Sequence, residues 1–417
     1  MIHRILVIVA LVFATDCLQG ETQWWKGNLH THSLWSDGDD FPEMIAEWYK
    51  SGGYHFLAIT DHNTLHEGEK WIPITPARMR DVAHAKYLKR FGSDWVVSRQ
   101  EGRNLSVRLK TLSEYREKIE QRDRFLLIQS EEISARHLTA PIHLNAANLL
   151  HRIEPRTGSN TVDVLQNNID AILEQERATG RPVLPHVNHP NFRWAITAEE
   201  LMQIRGGQFF EVYNGHPLVF NEGDATHAGT ERVWDIINAR RLTELDLPPM
   251  LGLATDDTHN YHETDSKKSN AGRGWVMVRS ESLTADALIN AMKRGDFYAS
   301  SGVTLDQLEI SPKGIQIGVK PDPGVEYTIE FVGTRKDFQR DHQPHYNSAG
   351  EKLRLTHRYS DDIGTVLQSS KGTGARYKFV GDELFVRARI ISTKAQQNPI
   401  HDGDLETAWT QPVSPKP

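Results

Sequence analysis

From about Trp24 to Ser301 the chain repeats one unit, a stretch of helical apolar spacing followed by a short apolar run with polar residues at its end. In "DFPEMIAEWYKSGG", Pro42 stands near a helix start, Met44, Ile45 and Trp48 are the apolar positions, and Gly52-Gly53 is the stop. The strand "HFLAITDHN" follows. "TLSEYREKIEQRDRFLLIQSEEIS" repeats the plan, with Thr111 and Glu114 spaced as a capping box and "RFLLIQ" as the strand. In "TVDVLQNNIDAILEQERATGRPVLPHVNHP", Leu165, Ile169, Ile172 and Leu173 share a helix face, Gly180 terminates it, and "PVLPHV" is the next strand. "GGQFFEVYNGH" and "PPMLGLATDDTH" are two further strands that run into polar tips. Strands joined through helices run parallel, and a closed α/β barrel accommodates this many units.

Two regions break the rhythm. Residues 66–110 are rich in aromatic and basic side chains and read as an insertion over the barrel mouth, where loops often carry substrate contacts. From about Thr304, "QLEISPKGIQIGVK", "EYTIEFVG", "KLRLTHRYS", "ARYKFVG" and "ELFVRARIIS" alternate with period two between Gly, Pro and Asp. That pattern is expected to form a small all-β, sandwich-like domain over 304–417, following a barrel domain over 21–303. A chain of 417 residues is long enough for both.

The first 20 residues read as a secretory signal peptide: Arg4, an apolar run from Ile5 to Ala14, then small residues. Cleavage after Ala14 or Gly20 fits, and the expected destination is secreted or periplasmic. No other segment approaches membrane-spanning length. Cys17 is the only cysteine, so cleavage after Gly20 leaves no thiolate, and any metal site is then expected to use His, Asp and Glu. With 48 basic against 55 acidic residues, the chain has no basic surplus for nucleic acid.

Metal-competent residues mark nearly every strand end. His30 and His32, at i and i+2, project to one face of the first strand, with Asp37 soon after. Asp61-His62, Glu131-Glu132, His143, His186 with His189, and Asp256, Asp257 and His259 follow at later strand ends. Singly, each has a bland explanation, such as an Asx turn at "TDHN" or a solvated carboxylate pair at Glu131-Glu132. Jointly they do not, because parallel barrels gather their C-terminal strand ends at one mouth. An all-nitrogen-and-oxygen set suits Zn, Mn or Fe.

"HTHSLWSDG", "AITDHN", "SEEIS", "PIHLNAANL", "NHPNF" and "ATDDTH", in this order, resemble the PHP (polymerase and histidinol phosphatase) superfamily over roughly residues 27 to 301. "FFEVYNGH" and the segment from Gly272 to Gly302 are more similar to its secreted, carbaryl-hydrolase-like branch. The resemblance implies a distorted (β/α)7 barrel with two or three divalent metal ions at its mouth. It implies that His30 and His32 hold one ion with Glu132 and Asp257. Glu132 would bridge to a second, completed by His143 and His189, the histidine of the "HP" dipeptide. His62 and His259 would hold a third, with Asp37 at or near a position that carries a further ligand in relatives.

Asp61 is too close to His62 to share an ion and is expected to orient an imidazole from behind. His186, if not a ligand, is a candidate proton donor to the leaving group, and Arg193 and Arg273 are candidates to meet an anionic small-molecule substrate. Phosphoester hydrolysis by a metal cluster is the expected activity. Carbamate, ester or amide hydrolysis by the same cluster is the rival, and non-catalytic binding by the β-domain a third reading.

Overall fold

The computed structural model describes residues 22–415. The expected leader, with Cys17, lies outside the described residues. Seven strands form the barrel: β1 (Gln23–Asn28), β2 (Phe56–Ile59), β3 (Leu126–His137), β4 (Ala140–Ala147), β5 (Leu184–Val187), β6 (Phe209–Asn214) and β7 (Leu251–Thr255). β2, β5, β6 and β7 are buried along their whole length, which explains their largely apolar character. The helices between Asn28 and the last barrel segments are α1 (Pro42–Ser51), α2 (Arg80–Phe91), α3 (Leu112–Ile119), α4 (Thr161–Thr179), α5 (Ala198–Leu201), α6 (Thr230–Arg240) and α7 (Ala285–Lys293).

Local signals act where the sequence places them. Thr111 and Glu114 form the capping box of α3. α1 has Pro42 in its first turn and Gly52 as its C-cap. α4 buries Leu165, Ile169 and Ile172 and ends at Gly180, whose φ of 69° is left-handed.

The barrel departs from uniform alternation at β4. β1, β2 and β3 are parallel, as are β5, β6 and β7, but β4 runs antiparallel to both neighbours. Only Leu138 and Thr139 separate β3 from β4, too few for a crossover helix, so the chain makes a hairpin. The barrel closes at its mouth, where Asp257 N donates to His30 O (2.9 Å) and His32 N donates to Thr258 O (2.9 Å). Lower down, the Gln411 side-chain amide stands in for a strand, accepting from Gly252 N (2.8 Å) and donating to Gly252 O (3.0 Å).

On the far side of β1 the same sheet continues. β8 (Trp275–Ser280) and β9 (Phe297–Ser300) lead into the C-terminal strands. These are β10 (Leu305–Ser311), β11 (Gly314–Val319), β12 (Tyr327–Arg335), β13 (Thr365–Lys371), β14 (Gly374–Lys378), β15 (Glu383–Ala395) and β16 (Leu405–Thr410). The order β7-β6-β5-β4-β3-β2-β1-β8-β9-β16-β15-β12-β13 makes one thirteen-stranded sheet. β10, β11 and β14 form a second sheet, and Leu308, Ile315 and Ile317 share a core with Phe331, Ile390 and the barrel-side Met277 and Tyr298.

Residues 66–110 contain a three-stranded sheet (71–73, 98–101, 104–108) and α2. Ile72, Tyr87 and Val107 pack on Leu34, Trp35 and Phe41, and Trp35 Nε1 donates to Lys110 O (3.1 Å). The insertion thus braces the loop that follows His32.

A buried ion pair also joins barrel and β-layer. Arg387 of β15 donates through Nε and Nη2 to both oxygens of Asp235 on α6 (2.9 and 2.8 Å), and Nη2 is 2.9 Å from Glu231. Asp235→Ala leaves the buried guanidinium with Glu231 alone. The expected cost is about 3 kcal/mol, the low end for breaking a buried pair, read from urea denaturation. A loss below about 1 kcal/mol, the range of exposed pairs, would show that this contact does not fasten the layers.

Candidate metal centre

Just past β1 the chain is still extended, so His30 and His32 point to the same side, their ring centroids 5.2 Å apart and both fully buried. Thr31 between them faces away and bonds the Tyr261 hydroxyl. The two Nε2 atoms converge on one oxygen, Asp257 Oδ1, at 3.2 Å each. Asp257 lies in a left-handed conformation (φ 51°), which a short polar side chain tolerates.

Glu132, in β3, is the middle of the cluster. Its Oε2 lies 3.4 Å from His32 Nε2, 3.7 Å from His30 Nε2 and 2.8 Å from His62 Nδ1. Its Oε1 lies 2.8 Å from His143 Nδ1 and 3.7 Å from His189 Nε2. Reversal of β4 is what turns His143 toward Glu132, since Ser134 of β3 pairs in register with His143. A third group gathers on Asp37 Oδ1, with His62 Nε2 at 3.5 Å, His259 Nε2 at 3.4 Å and His32 Nδ1 at 3.8 Å. His62 and His259 stack against His32, at centroid distances of 4.5 and 4.1 Å.

All nine residues expected as ligands (His30, His32, Asp37, His62, Glu132, His143, His189, Asp257 and His259) therefore lie in overlapping groups whose ligand atoms are within 4.8 Å of one another. Their carboxylates supply the negative charge that a cation needs. Burial works against ionisation of Glu132 and Asp257, yet the surrounding imidazoles hold both well below the usual carboxylate range. Burial, with His259 and His62 beside it, pushes His32 down to about 4, so its ring is neutral with a free lone pair. His62, against Glu132 and Asp37, is instead raised to about 9 despite its burial.

The fit to divalent ions can be judged from unpaired atoms. His30 Nε2, both His32 nitrogens, Glu132 Oε2 and His143 Nδ1 are buried without a hydrogen-bond partner. Buried polar atoms are otherwise almost always paired, so a convergent set of unpaired lone pairs is the signature of a cation site. The donors are nitrogen and oxygen only, matching Zn, Mn or Fe.

Four other expected residues are corrected by the geometry. Asp61 does orient an imidazole, but that of His66 (2.6 Å to Nε2), outside the cluster. Its oxygens also accept from Ser33 N (2.8 Å), Ser33 Oγ (2.5 Å) and Ser36 Oγ, so it shapes the turn after His32 and touches no reacting group. His186 is 1% exposed, absent from the cleft wall, and faces Glu211 (3.4 Å); burial also lowers its basicity, so it is no proton donor to a leaving group. Arg273 is buried and binds backbone carbonyls throughout, among them Gly215 O (2.8 Å), Lys268 O (2.7 Å) and Asn398 O (3.0 Å). It has no donor left for a substrate. Arg193 is exposed and lies over the Phe192 ring, outside the cleft lining. The 66–110 insertion supplies no residue to that lining either.

Glu211 of β6 escaped the sequence reading. It is fully buried, and its oxygens lie 2.6 Å from His30 Nδ1 and accept from His189 N (2.8 Å), Asn214 Nδ2 (2.8 Å) and Thr255 Oγ1 (2.8 Å). One carboxylate thus orients His30 and ties β5, β6 and β7 together at the mouth. The available signal was a charged residue inside "FFEVYN", a strand buried at every position.

A cleft of about 420 Å³ opens onto the cluster, lined by His62, His143 and His189 together with Phe192, His216 and Leu218. Glu211→Gln keeps the shape but removes the charge and leaves one acceptor oxygen for the groups, His30 among them, that two oxygens serve. Affinity for zinc, titrated into metal-free protein, should fall about 10–100-fold with an unchanged far-ultraviolet spectrum. An unchanged affinity would mean that His30 needs no such support.

No family model matches the chain, and no curated protein matches it. Among solved structures, it is similar to a two-domain protein from Bacteroides vulgatus containing a predicted PHP-like metal-dependent phosphoesterase, at 14% identity and TM-score 0.40, over 94% of this chain and 96% of that one. It is similar to a protein from Bifidobacterium adolescentis with the provisional description of a metal-dependent phosphoesterase, at 14% identity and TM-score 0.30, over 57% and 89%. A third is an amidohydrolase from Chromobacterium violaceum with bound sulfate and no metal, at 12% identity and TM-score 0.31, over 57% and 88%.

Proposed function

We propose that the protein is a metal-dependent hydrolase of the PHP superfamily type, acting on phosphoesters. The observation that carries this reading is the convergence of nine nitrogen- and oxygen-bearing residues in overlapping groups, with the buried Glu132 shared between them. His30, His32, Glu132 and Asp257 would hold one ion, Glu132, His143 and His189 a second, and Asp37, His62 and His259 a third. Ions in such a cluster supply Lewis acidity and lower the pKa of water toward ~7.

The chain's own residues define the direction of approach. The side chains of His30, His32 and Glu132 are closed to solvent, whereas His62 is 27% and Asp37 38% exposed. Substrate therefore meets the His62–Asp37–His259 side, while Glu211 and Asp61 brace the closed side from behind. His216 lines the cleft as a neutral ring, pushed down to about 4 by burial; its Nδ1 accepts from Leu218 N (3.1 Å), which leaves Nε2–H to donate a hydrogen bond without adding fixed charge.

Hydrolysis of a carbamate, ester or amide is the second reading. It is favoured by the apolar wall of Phe192, Pro217 and Leu218, which suits an uncharged organic substrate, and by the segment likeness to the carbaryl-hydrolase-like branch. Export to the periplasm or beyond follows from the leader-like first 20 residues, and N-terminal sequencing of the exported protein would test it.

Elemental analysis of the purified protein should return about two or three equivalents of Zn, Mn or Fe, with turnover of a phosphomonoester above that of a carboxyl ester. Chelation should abolish turnover, and His32→Ala should lose both metal and at least about 100-fold of the rate. Protein that stays metal-free after reconstitution would sink the proposal, as would hydrolysis that survives loss of the metal. Preference for the carboxyl ester would select the second reading.

A further inference from the structure

We propose that Lys267 is a substrate-binding residue that reads the anionic group of the substrate; this rests on the hydrolase reading above. Lys267 is the one lysine or arginine among the described residues lining the cleft. It is exposed, and among the described residues no carboxylate pairs with its ammonium group, whereas its neighbour Lys268 pairs with Glu263 (3.1 Å).

The turn that carries Lys267 is held at every step. Lys267 N donates to Asp265 Oδ1 (2.8 Å) and Lys268 N to Asp265 O (2.9 Å). Arg273 donates to Asp265 O (3.2 Å) and Lys268 O (2.7 Å). Ser269 Oγ donates to Asp257 O, the backbone of a cluster residue, and Ser269 N to Asn260 Oδ1 (3.1 Å). A long, mobile side chain thus rises from a fixed base at the cleft rim. Arg273 also donates to Gly215 O, next to His216, and to Asn398 O of the C-terminal region, so that region helps set the cleft wall.

The chemistry follows from charge. Asp37, Glu132 and Asp257 of the lining belong to the cluster, and Phe192, Pro217 and Leu218 carry no charge. Lys267 is the one cationic side chain of this lining, and its ammonium group is free to meet an anion that a ligand supplies. A phosphomonoester does so in both its ground and transition states. A neutral carbamate does not. The substrate class is therefore a phosphomonoester with a small apolar organic group on the Phe192–Leu218 side.

The test uses metal-loaded full-length protein. Lys267→Met should raise KM for phenyl phosphate about tenfold with kcat within about twofold, the pattern of lost uniform binding. KM for neutral phenyl acetate should not move, metal content should be unchanged, and Lys267→Arg should restore most of the affinity. By calorimetry, the Kd of non-hydrolysable phenylphosphonate should rise by the same factor in Lys267→Met. An unmoved phosphonate Kd, an equal rise for phenyl acetate, or no phosphonate binding to the unaltered protein would overturn the assignment. If phenyl acetate alone is turned over, the phosphoesterase reading falls, and the phosphonate Kd in Lys267→Met still decides whether Lys267 binds anions.

Discussion

One buried carboxylate organises this molecule. Glu132 sits with no exposure among His30, His32, His62, His143 and His189, which come from four barrel strands or the loops after them. An isolated carboxylate at that depth would take up a proton or move toward solvent. Here five imidazoles surround it and the anion is retained, so its neighbours are brought to within ligand distance of each other. The unpaired nitrogens around it are then costly unless a cation completes the arrangement. In this way the chemistry of the mouth and the stability of the mouth are one problem.

The barrel solves the geometric half of that problem by being irregular. A uniformly parallel barrel would present only strand C-termini. The β3–β4 hairpin instead lays Ser134 beside His143 and turns this histidine toward Glu132 from a strand of opposite direction. The closure between β1 and β7 is also confined to the mouth, through His30 O and His32 N, so the residues that carry the imidazoles are those that seal the barrel. Below, where β8 pairs with β1, the seam is bridged by the Gln411 amide on Gly252. The C-terminal strands are consequently part of the barrel's own sheet and not a separately tethered module. Arg387, through Nε and Nη2 on Asp235, and Arg273 on three loops fasten the C-terminal strands to the barrel with buried guanidinium groups.

Much of the site was legible because its signals are local. The i, i+2 spacing of His30 and His32 needs only an extended backbone to share a face, and the capping box at Thr111 and Glu114 needs only one helical turn. Strand ends bearing Asp, Glu or His were readable from hydrophobic runs that stop at polar residues. Arg273 and His186 were misjudged for a common reason. Each has a residue type that suits catalysis, and what it does depends on which atoms lie within 3 Å or so of it, most of them distant in sequence. Arg273 meets Asn398, and His186 meets Glu211. Glu211 itself went unseen because a carboxylate in an apolar strand announces burial without naming its partner.

By itself, then, the sequence determined the α/β alternation, the change to β-structure near Thr304, and a set of nitrogen and oxygen ligands with no sulfur. These depend on periodicity and composition, which act over a few residues. The tertiary structure alone decided the reversal of β4, the single sheet shared by both halves, and the cleft wall on which Lys267 stands. It also gave the physical reason why Glu132, the glutamate that the family resemblance implies, faces the cluster and Glu131 does not. Glu132 and Glu131 differ by one position in a pleated strand, so one points to the imidazoles and the other to the backbone of Ile153. Only the packing of the surrounding strands selects the face.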